Sequence, residues 1–308
     1  MIRKWFLIIL FLTSFVGAVE NNSGIDRYRD DVSRWLIDTS SSIDNYFFDE
    51  TNESLRNKTY AKLVSSFAIE ERNGNKIEYD VRLKLRLNLP RVQKHLRLVF
   101  EDDDDGNDDQ TSLGDNHQLS EKDYHLRVEY VDYVVKRFKF GMGTGIRLRN
   151  LLIYPYLNFK TKYTIHDTNK YQSAFLNRLR WYVNGDVENI FEYNLVNNIN
   201  EIDKTLYFNW YNKLTYMNTE DMEDLLNGVA LIKIFDKKTR SSVGFSLLSK
   251  MYNFKITNLD YAQYYVTHQK TFYKDWMYYK VTPSMLWRKV NDYRCSYRFM
   301  VNIGMIFK

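Results

Sequence analysis

The chain has 308 residues, of which 27% are charged and 16% aromatic, and a formal net charge of +5. Tyrosine is abundant, with 25 residues, whereas only 3 prolines occur. No window approaches the roughly 18 consecutive apolar residues of a spanning helix, which excludes an ordinary helical membrane protein. The small positive excess does not indicate a nucleic-acid partner. The single cysteine, Cys295, excludes an internal disulfide bond.

The first residues have the pattern of a secretory signal peptide. Arg3 and Lys4 form a short basic start, residues 5–16 are largely apolar, and Gly17 and Ala18 supply small side chains for cleavage. This apolar run is too short to favour a membrane-spanning helix. We therefore predict a signal peptide at residues 1–18 and export from the cytoplasm.

Residues 19–56 precede any clear strand and predict a short amphipathic helix in the periplasm. Ser23 and Asp26 have the spacing of a capping box. A Ser-rich break is expected at residues 40–42. The predicted apolar face contains Ile25, Tyr28, Val32, Trp35 and Leu36. This face favours a tethered periplasmic helix that packs against a core, and the alternative is a plug or foot at the mouth of a barrel.

From residue 57 onward, apolar and polar residues alternate between turns. Residues 76–87 are the clearest case, with apolar side chains such as Leu83 on one face and ionisable ones such as Lys84 on the other. The pattern predicts fourteen strands, and twelve if two weaker ones merge. Their predicted ranges are 59–70, 76–88, 94–101, 124–134, 137–148, 151–163, 172–183, 188–198, 204–216, 228–236, 241–252, 261–272, 275–288 and 293–307.

The last segment, residues 297–307, is long enough to cross a bilayer as a tilted strand. One of its faces is entirely apolar or aromatic, and Lys308 follows it. It resembles the C-terminal assembly signal of bacterial outer-membrane barrels, which implies insertion by the barrel-assembly machinery. After Tyr297, the residues that carry the resemblance are Phe299, Val301, Ile303, Met305 and Phe307. We predict that residues 57–308 form an all-β, antiparallel transmembrane barrel in the cell outer membrane, in contact with its lipids.

If both chain ends are periplasmic, the connection after strand three, residues 102–122, is extracellular and the longest. Its acidic run could pair with a basic lumen wall, or could remain a solvated outer loop. An EF-hand calcium site is not favoured, because Ser112 stands at the twelfth position, where a bidentate Glu is needed. We expect no metal site. The carboxylates of the run are Asp102, Asp103, Asp104, Asp105, Asp108 and Asp109.

The inward faces of the predicted strands are basic, and Glu78, Asp80, Glu129 and Glu192 offset only part of the charge. A positive lumen attracts anions and repels cations, which favours a porin-like passage for small anionic solutes. The alternative is a filled structural or envelope-assembly barrel in which the charges pair. The predicted inward basic residues are Arg82, Lys84, Arg86, Arg97, Arg127, Lys139, Arg147, Lys160, Lys162, Arg178, Arg180, Lys213, Lys250, Lys280 and Arg298.

Two smaller patterns bear on chemistry inside the barrel. Gly141, Gly143 and Gly145 alternate on one inward face and indicate either room for a bulky neighbour, such as the N-terminal segment or an inserted loop, or a bend in the wall. His125 combines an inward position with a nearby carboxylate, Glu129, as an outer-membrane phospholipase or protease would need. No nucleophile motif accompanies it. We therefore expect no enzyme activity and no cofactor, and keep a hydrolase as the third alternative.

The layout as a whole resembles a family of uncharacterised proteobacterial outer-membrane barrels. The resemblance rests on the charged N-terminal helix, on strand three leading into an acidic loop, and on the penultimate strand between Trp276 and Trp287. It implies the barrel fold and the outer-membrane location. It implies no activity.

Overall fold

The computed structural model describes residues 23–47, 59–71, 77–88, 96–102, 124–149, 152–199, 205–219 and 223–307. The predicted signal peptide lies outside these residues. One long helix, α1 (Ser23–Phe47), precedes the strands, and a short 3-10 turn, Lys289–Asn291, lies before the last strand. The strands are β1 (Tyr60–Glu70), β2 (Ile77–Asn88), β3 (Leu96–Asp102), β4 (Tyr124–Val135), β5 (Phe138–Arg149), β6 (Leu152–Asp167), β7 (Tyr171–Tyr182), β8 (Val187–Asn198), β9 (Leu206–Met217), β10 (Glu223–Ile234), β11 (Thr239–Tyr252), β12 (Lys255–Tyr273), β13 (Met277–Arg288) and β14 (Cys295–Phe307).

The fourteen strands form one closed antiparallel barrel in which each strand pairs with its sequence neighbours. The barrel closes between β1 and β14, from Ala61 opposite Phe307 to Glu70 opposite Arg298. Closure leaves no unpaired strand edge, which is the requirement for strands inside a bilayer. The predicted fold class is confirmed with fourteen strands, and the twelve-strand alternative is wrong.

Two strands begin earlier than their sequence predicts. β10 starts at Glu223 rather than at residue 228, and β12 starts at Lys255 rather than at residue 261. In β12 the additional residues pair with β11 across two register shifts, near Ser249 and Met251. These extensions carry no regular apolar alternation, so backbone pairing alone extends them, and period-two patterning does not detect them.

The alternation of side chains separates a lipid-facing outer surface from a lumen. Large apolar side chains are exposed mostly on one parity of the strands, whereas most of the buried charged residues lie on the other. An apolar outer belt around a polar interior is the arrangement of a membrane-spanning barrel. The protein is therefore an outer-membrane β-barrel. Exposed outward residues include Phe67, Leu83, Leu126, Leu157, Trp210, Val229, Phe245 and Val266.

The strands are joined mostly by short turns. β11 and β12 are joined by Asn253 and Phe254, which both have positive φ, of 50° and 59°, as the tightest hairpin turns require. The connection after β3 is the longest, as predicted, and lies almost entirely outside the described residues. Other connections at the same end of the barrel are short, so the connection after β3 is an exception at that end.

Helix α1 differs from its prediction in two ways. It continues through residues 40–42 without the expected break. The predicted apolar face does not pack as a unit. Of the members of this face whose side chains the structure describes, Tyr28 and Trp35 are exposed and only Leu36 is buried. The buried face instead combines Leu36 with Ser33 and Ser40, whose small side chains let the helix backbone approach the wall closely. Within the described residues, no helix is long and apolar enough to cross a membrane.

The helix lies outside the lumen. Leu36 forms a buried apolar cluster with Ala61 and Leu87, and the partly buried Leu98 and Phe307 pack against that cluster. All four have the parity of the lipid-facing residues of their strands. The interpretation of this segment as a plug is therefore wrong for the described helix, which packs against the outside of the wall, and its periplasmic location stays a prediction.

Candidate functional site: the charged lumen

The predicted inward basic residues all lie on lumen-facing positions of the barrel. Strand register establishes this: Arg127 and Arg180 are themselves buried on β4 and β7, and Arg82 pairs with the β1 face that carries the buried Ser66. The same parity brings to the lumen further basic residues that the sequence analysis does not identify. These are Lys62, Arg149, Arg240 and Arg288. The side chain of Arg97 lies outside the described ones.

One group of lumen side chains links β5, β6, β7 and β8. Arg180 forms an ion pair with Glu188 at 2.6 Å, and the Tyr182 hydroxyl donates to the same carboxylate at 3.0 Å. Arg147 donates to the Tyr182 hydroxyl at 3.1 Å. The Arg180 guanidinium also lies 5.7 Å from the Tyr156 ring centroid, within cation–π range. One carboxylate thus organises two arginines and two tyrosines on the wall.

The residues considered for hydrolase chemistry lie beside this group. Arg127 donates to Glu129 at 2.5 Å, and both side chains are buried. His125 is buried edge-on against Tyr156, with ring centroids 5.8 Å apart. Glu129 is therefore held by Arg127, and the carboxylate that made His125 a candidate base is engaged with a cation. The prediction that the protein is not an enzyme stays a prediction.

A second group surrounds Glu70, on the opposite side of the lumen. Arg288 donates to both oxygens of the Glu70 carboxylate, at 3.1 and 3.0 Å, and Ser296 donates to it at 3.2 Å. The guanidinium of Arg288 also lies 5.9 Å from the ring centroid of Tyr261. The sequence analysis misses this group because Glu70 and Arg288 are the last residues of their strands, where the apolar alternation stops. Their parity with Arg298 and Glu78 is the signal that could have found them.

Other lumen carboxylates are also paired with nearby cations. Arg298 contacts Glu78 at 3.1 Å, and Arg82 contacts Asp80 at 3.0 Å. Asp224 and Lys250 form a 2.5 Å pair in which both side chains keep about a third of their surface exposed. Two basic residues differ from these: Lys139 and Lys162 lie directly opposite each other on β5 and β6, and both are exposed.

Glycines on the lumen face accommodate tyrosine rings from the neighbouring strand. Gly145, Gly244 and Gly304 lie directly opposite Tyr156, Tyr265 and Tyr278. A Cβ at any of these glycines would overlap the opposite ring, so each tyrosine lies flat over a strand that lacks a side chain. At Gly145 the bulky neighbour is therefore Tyr156 of the wall, and not the N-terminal segment or an inserted loop.

The remaining predicted site residues belong to the outer surface and the long loop. Phe299, Val301, Ile303, Met305 and Phe307 lie on the lipid-facing parity of β14. Their role as an assembly signal stays a prediction. Asp102 ends β3, and the other residues of the acidic run lie outside the described residues. Among the side chains that the structure describes, no cluster of His, Cys, Asp or Glu could hold a metal ion.

Comparisons with known proteins support the fold. No protein-family model matches the chain, and no curated protein is similar to it in sequence. The high-pH structure of OprB from Pseudomonas putida superposes with a TM-score of 0.53 at 8% sequence identity, and the superposition covers 82% of this chain and 94% of the OprB chain. OmpT, an outer membrane protein of Vibrio cholerae folded in vitro, gives 0.47 at 10% identity, covering 83% and 100%. The KdgM porin, in complex with disordered oligogalacturonate, gives 0.38 at 7% identity, covering 79% and 98%. At 8% identity the similarity to OprB shows a shared barrel fold.

Proposed function

We propose that this outer-membrane barrel is a porin-like passage for small anionic solutes. The observation that carries the proposal is the balance of charge on the lumen-facing positions, where Arg and Lys outnumber Asp and Glu. Most of the carboxylates, such as Glu70, Glu129 and Glu188, are already matched by an arginine. The excess is therefore positive, and a positive lumen raises the local concentration of anions.

The opposed lysines, Lys139 and Lys162, support this proposal most directly. Like charges directly opposite each other on adjacent strands destabilise the pairing, so structure alone does not favour them here. Both side chains are exposed, and neighbouring Lys160 lies opposite Arg178 across the next strand pair. Together they form a basic patch on β5, β6 and β7 that an anionic solute would meet while crossing.

A filled barrel with a structural or envelope-assembly role is the second candidate. The almost complete burial of Arg180 and Arg298 favours it, because a closely filled wall buries its charges. A hydrolase is the third, and the proposal treats His125 as a wall residue without a catalytic role. We also propose that the apolar face of β14 is what the barrel-assembly machinery recognises during insertion.

The test is conductance and ion selectivity in planar phospholipid bilayers under a salt gradient. The wild-type chain should conduct, with a reversal potential that indicates anion preference. The double variant Lys139→Gln/Lys162→Gln should shift the reversal potential toward cations, because it removes lumen charge without breaking a described ion pair. Lys233→Gln/Lys237→Gln removes the same charge from an outward and a turn position and should leave selectivity unchanged.

The outcomes separate the candidates. A folded protein that does not conduct would support the filled barrel and overturn the proposed passage. Conductance with equal effects of the two double variants would overturn the assignment of the lysine pair to the solute path. Conductance without anion preference would support a porin-like passage but overturn the proposed selectivity for anions.

A further inference from the structure

Helix α1 covers a patch of the lipid-facing wall at the seam where the barrel closes. Ala61 of β1 and Leu87 of β2 are only 5% and 4% exposed where Leu36 packs over them. On the same strands, the outward residues Phe67 and Leu83 are 46% and 40% exposed. The helix therefore replaces lipid along one rim of the barrel, the rim at which β1 begins and β14 ends.

Polar contacts fix the helix at two points along this rim. Ser40 and Thr59 are joined by a 3.2 Å hydrogen bond. Lys274 and Tyr273 donate to the Asp26 carboxylate at 2.6 and 2.9 Å. At 1.5 Å per residue the two anchors are about 21 Å apart along the helix axis. They lie at the start of β1 and the end of β12, three strand spacings apart around the barrel, which is about 19 Å along the rim for strands spaced at roughly 4.8 Å and tilted by about 40°. The helix thus lies across the strand ends, parallel to the membrane surface.

The helix has two further faces besides the one against the wall. At 3.6 residues per turn, Tyr28, Val32 and Trp35 share one face, which we call the aromatic face. Tyr28 is 76% and Trp35 59% exposed. The charged face comprises Arg27, Asp31, Arg34 and Asp38.

The contacts of the wall-facing residues give the direction of each face. Around the helix, Asp26 lies between the wall-facing serines and the charged face, and Leu36 lies between those serines and the aromatic face. Asp26 contacts Lys274 in the turn beyond the strand ends, whereas Leu36 contacts the apolar wall. The charged face is therefore turned outward from the rim, and the aromatic face is turned back along the wall toward the bilayer.

We propose that the aromatic face binds the phospholipid interface of the leaflet that borders this rim. Trp and Tyr prefer the level of the headgroups, and a helix with one apolar and one charged side lies in the plane of that interface. The face is continuous with the lipid-facing wall that it adjoins. The charged face carries both signs, with Arg34 3.7 Å from Asp31. Zwitterionic phospholipid is therefore sufficient, and the aromatic side chains rather than net charge provide the attachment.

The experiment uses the full-length chain folded into phosphatidylcholine–phosphatidylethanolamine vesicles, with Cys295→Ser as background. A bimane label is placed at Trp35→Cys on the aromatic face or at the adjacent Arg34→Cys on the charged face, with Leu83→Cys as a lipid-exposed reference. Nitroxide-labelled lipid should quench the label at position 35 about threefold more than that at 34, and aqueous iodide should show the reverse order, as expected for a helix in the interface plane. Folding of each variant is checked by heat-dependent mobility on gels, and Val32→Cys replaces Trp35→Cys if that variant does not fold.

Equal access of iodide to both labels would overturn the proposal, because the aromatic face would then lie in water. Adding phosphatidylglycerol should change the ratio little. A strong increase would overturn the role of the aromatic face in favour of adsorption through charge. Protection of position 35 in native envelopes but not in vesicles would also overturn it and would indicate a protein partner instead of lipid.

Discussion

Removing Arg288 tests how the lumen wall is held together. Its guanidinium donates one hydrogen bond to each oxygen of Glu70, whose side chain is only 3% exposed. Arg288→Met removes the cation that donates to this carboxylate, with the Ser296 hydroxyl still in contact. Breaking one side of a buried ion pair costs about 3–5 kcal/mol. At about 1.4 kcal/mol per tenfold, the unfolding equilibrium should shift by roughly a hundredfold to several thousandfold.

The double variant Glu70→Gln/Arg288→Met shows whether the two residues stabilise the barrel as a pair or independently. The amide that Glu70→Gln introduces is neutral and can still accept a hydrogen bond from Ser296, so the double variant should lie within about 1 kcal/mol of the wild type. The assay is equilibrium urea unfolding in phospholipid vesicles, followed by tryptophan fluorescence. Arg294→Met, at an exposed position in the adjacent turn, should change the free energy of unfolding by about 0.5 kcal/mol or less. Additive effects of the two substitutions would refute the reasoning, because uncoupled residues do not form a buried pair.

Two further predictions concern the tyrosine-covered glycines and the helix anchor. Gly244→Ala should destabilise the barrel by about 1–3 kcal/mol in the same urea assay, because the added Cβ would overlap the Tyr265 ring. Gly141→Ala should be nearly neutral, because its Cβ would lie 3.4 Å from the Tyr130 carbonyl oxygen. Similar losses of unfolding free energy at both positions would contradict this prediction. The hydrogen bond from Lys274 lowers the pKa of Asp26 below its ordinary value of 3.8, and the same contact raises the pKa of Lys274 above 10.5. The ion pair is therefore complete between these two ordinary pKa values, and it is lost as pH falls through the lowered pKa of Asp26 or rises through the raised pKa of Lys274. Protease cleavage of α1 should increase in both pH ranges. In Asp26→Asn the rate of cleavage should no longer rise at acid pH, and an unchanged rise in this variant would contradict the assignment.

The strand count and the division between lipid and lumen could be predicted from the sequence. Both depend on the pleat, in which successive side chains point to opposite faces whatever the strand is paired with. An error of a few residues at a strand end does not change that parity. For this reason Lys84, Arg127 and Arg298 share the lumen-facing parity of their strands, although several strand boundaries, such as the start of β12, differ from the prediction.

The position of helix α1 could not be predicted in the same way. An apolar stripe indicates a surface removed from water, and in a soluble protein that surface is a protein core. Next to a bilayer, lipid can cover the stripe instead. The face that packs against the wall is then chosen by close backbone approach, which is why it contains Ser33 and Ser40.

The pairing of charges within the lumen was decided only by the tertiary structure. Alternation places Glu70, Arg288 and Arg298 in the lumen but does not say which of them meet. Glu70 and Arg288 are 218 positions apart and come together because β1 pairs with β14 when the barrel closes. Which face a side chain occupies is a local property of the backbone and can be read from the sequence, whereas the choice of partner depends on closure and on the relative shift of the strands, which local sequence does not encode.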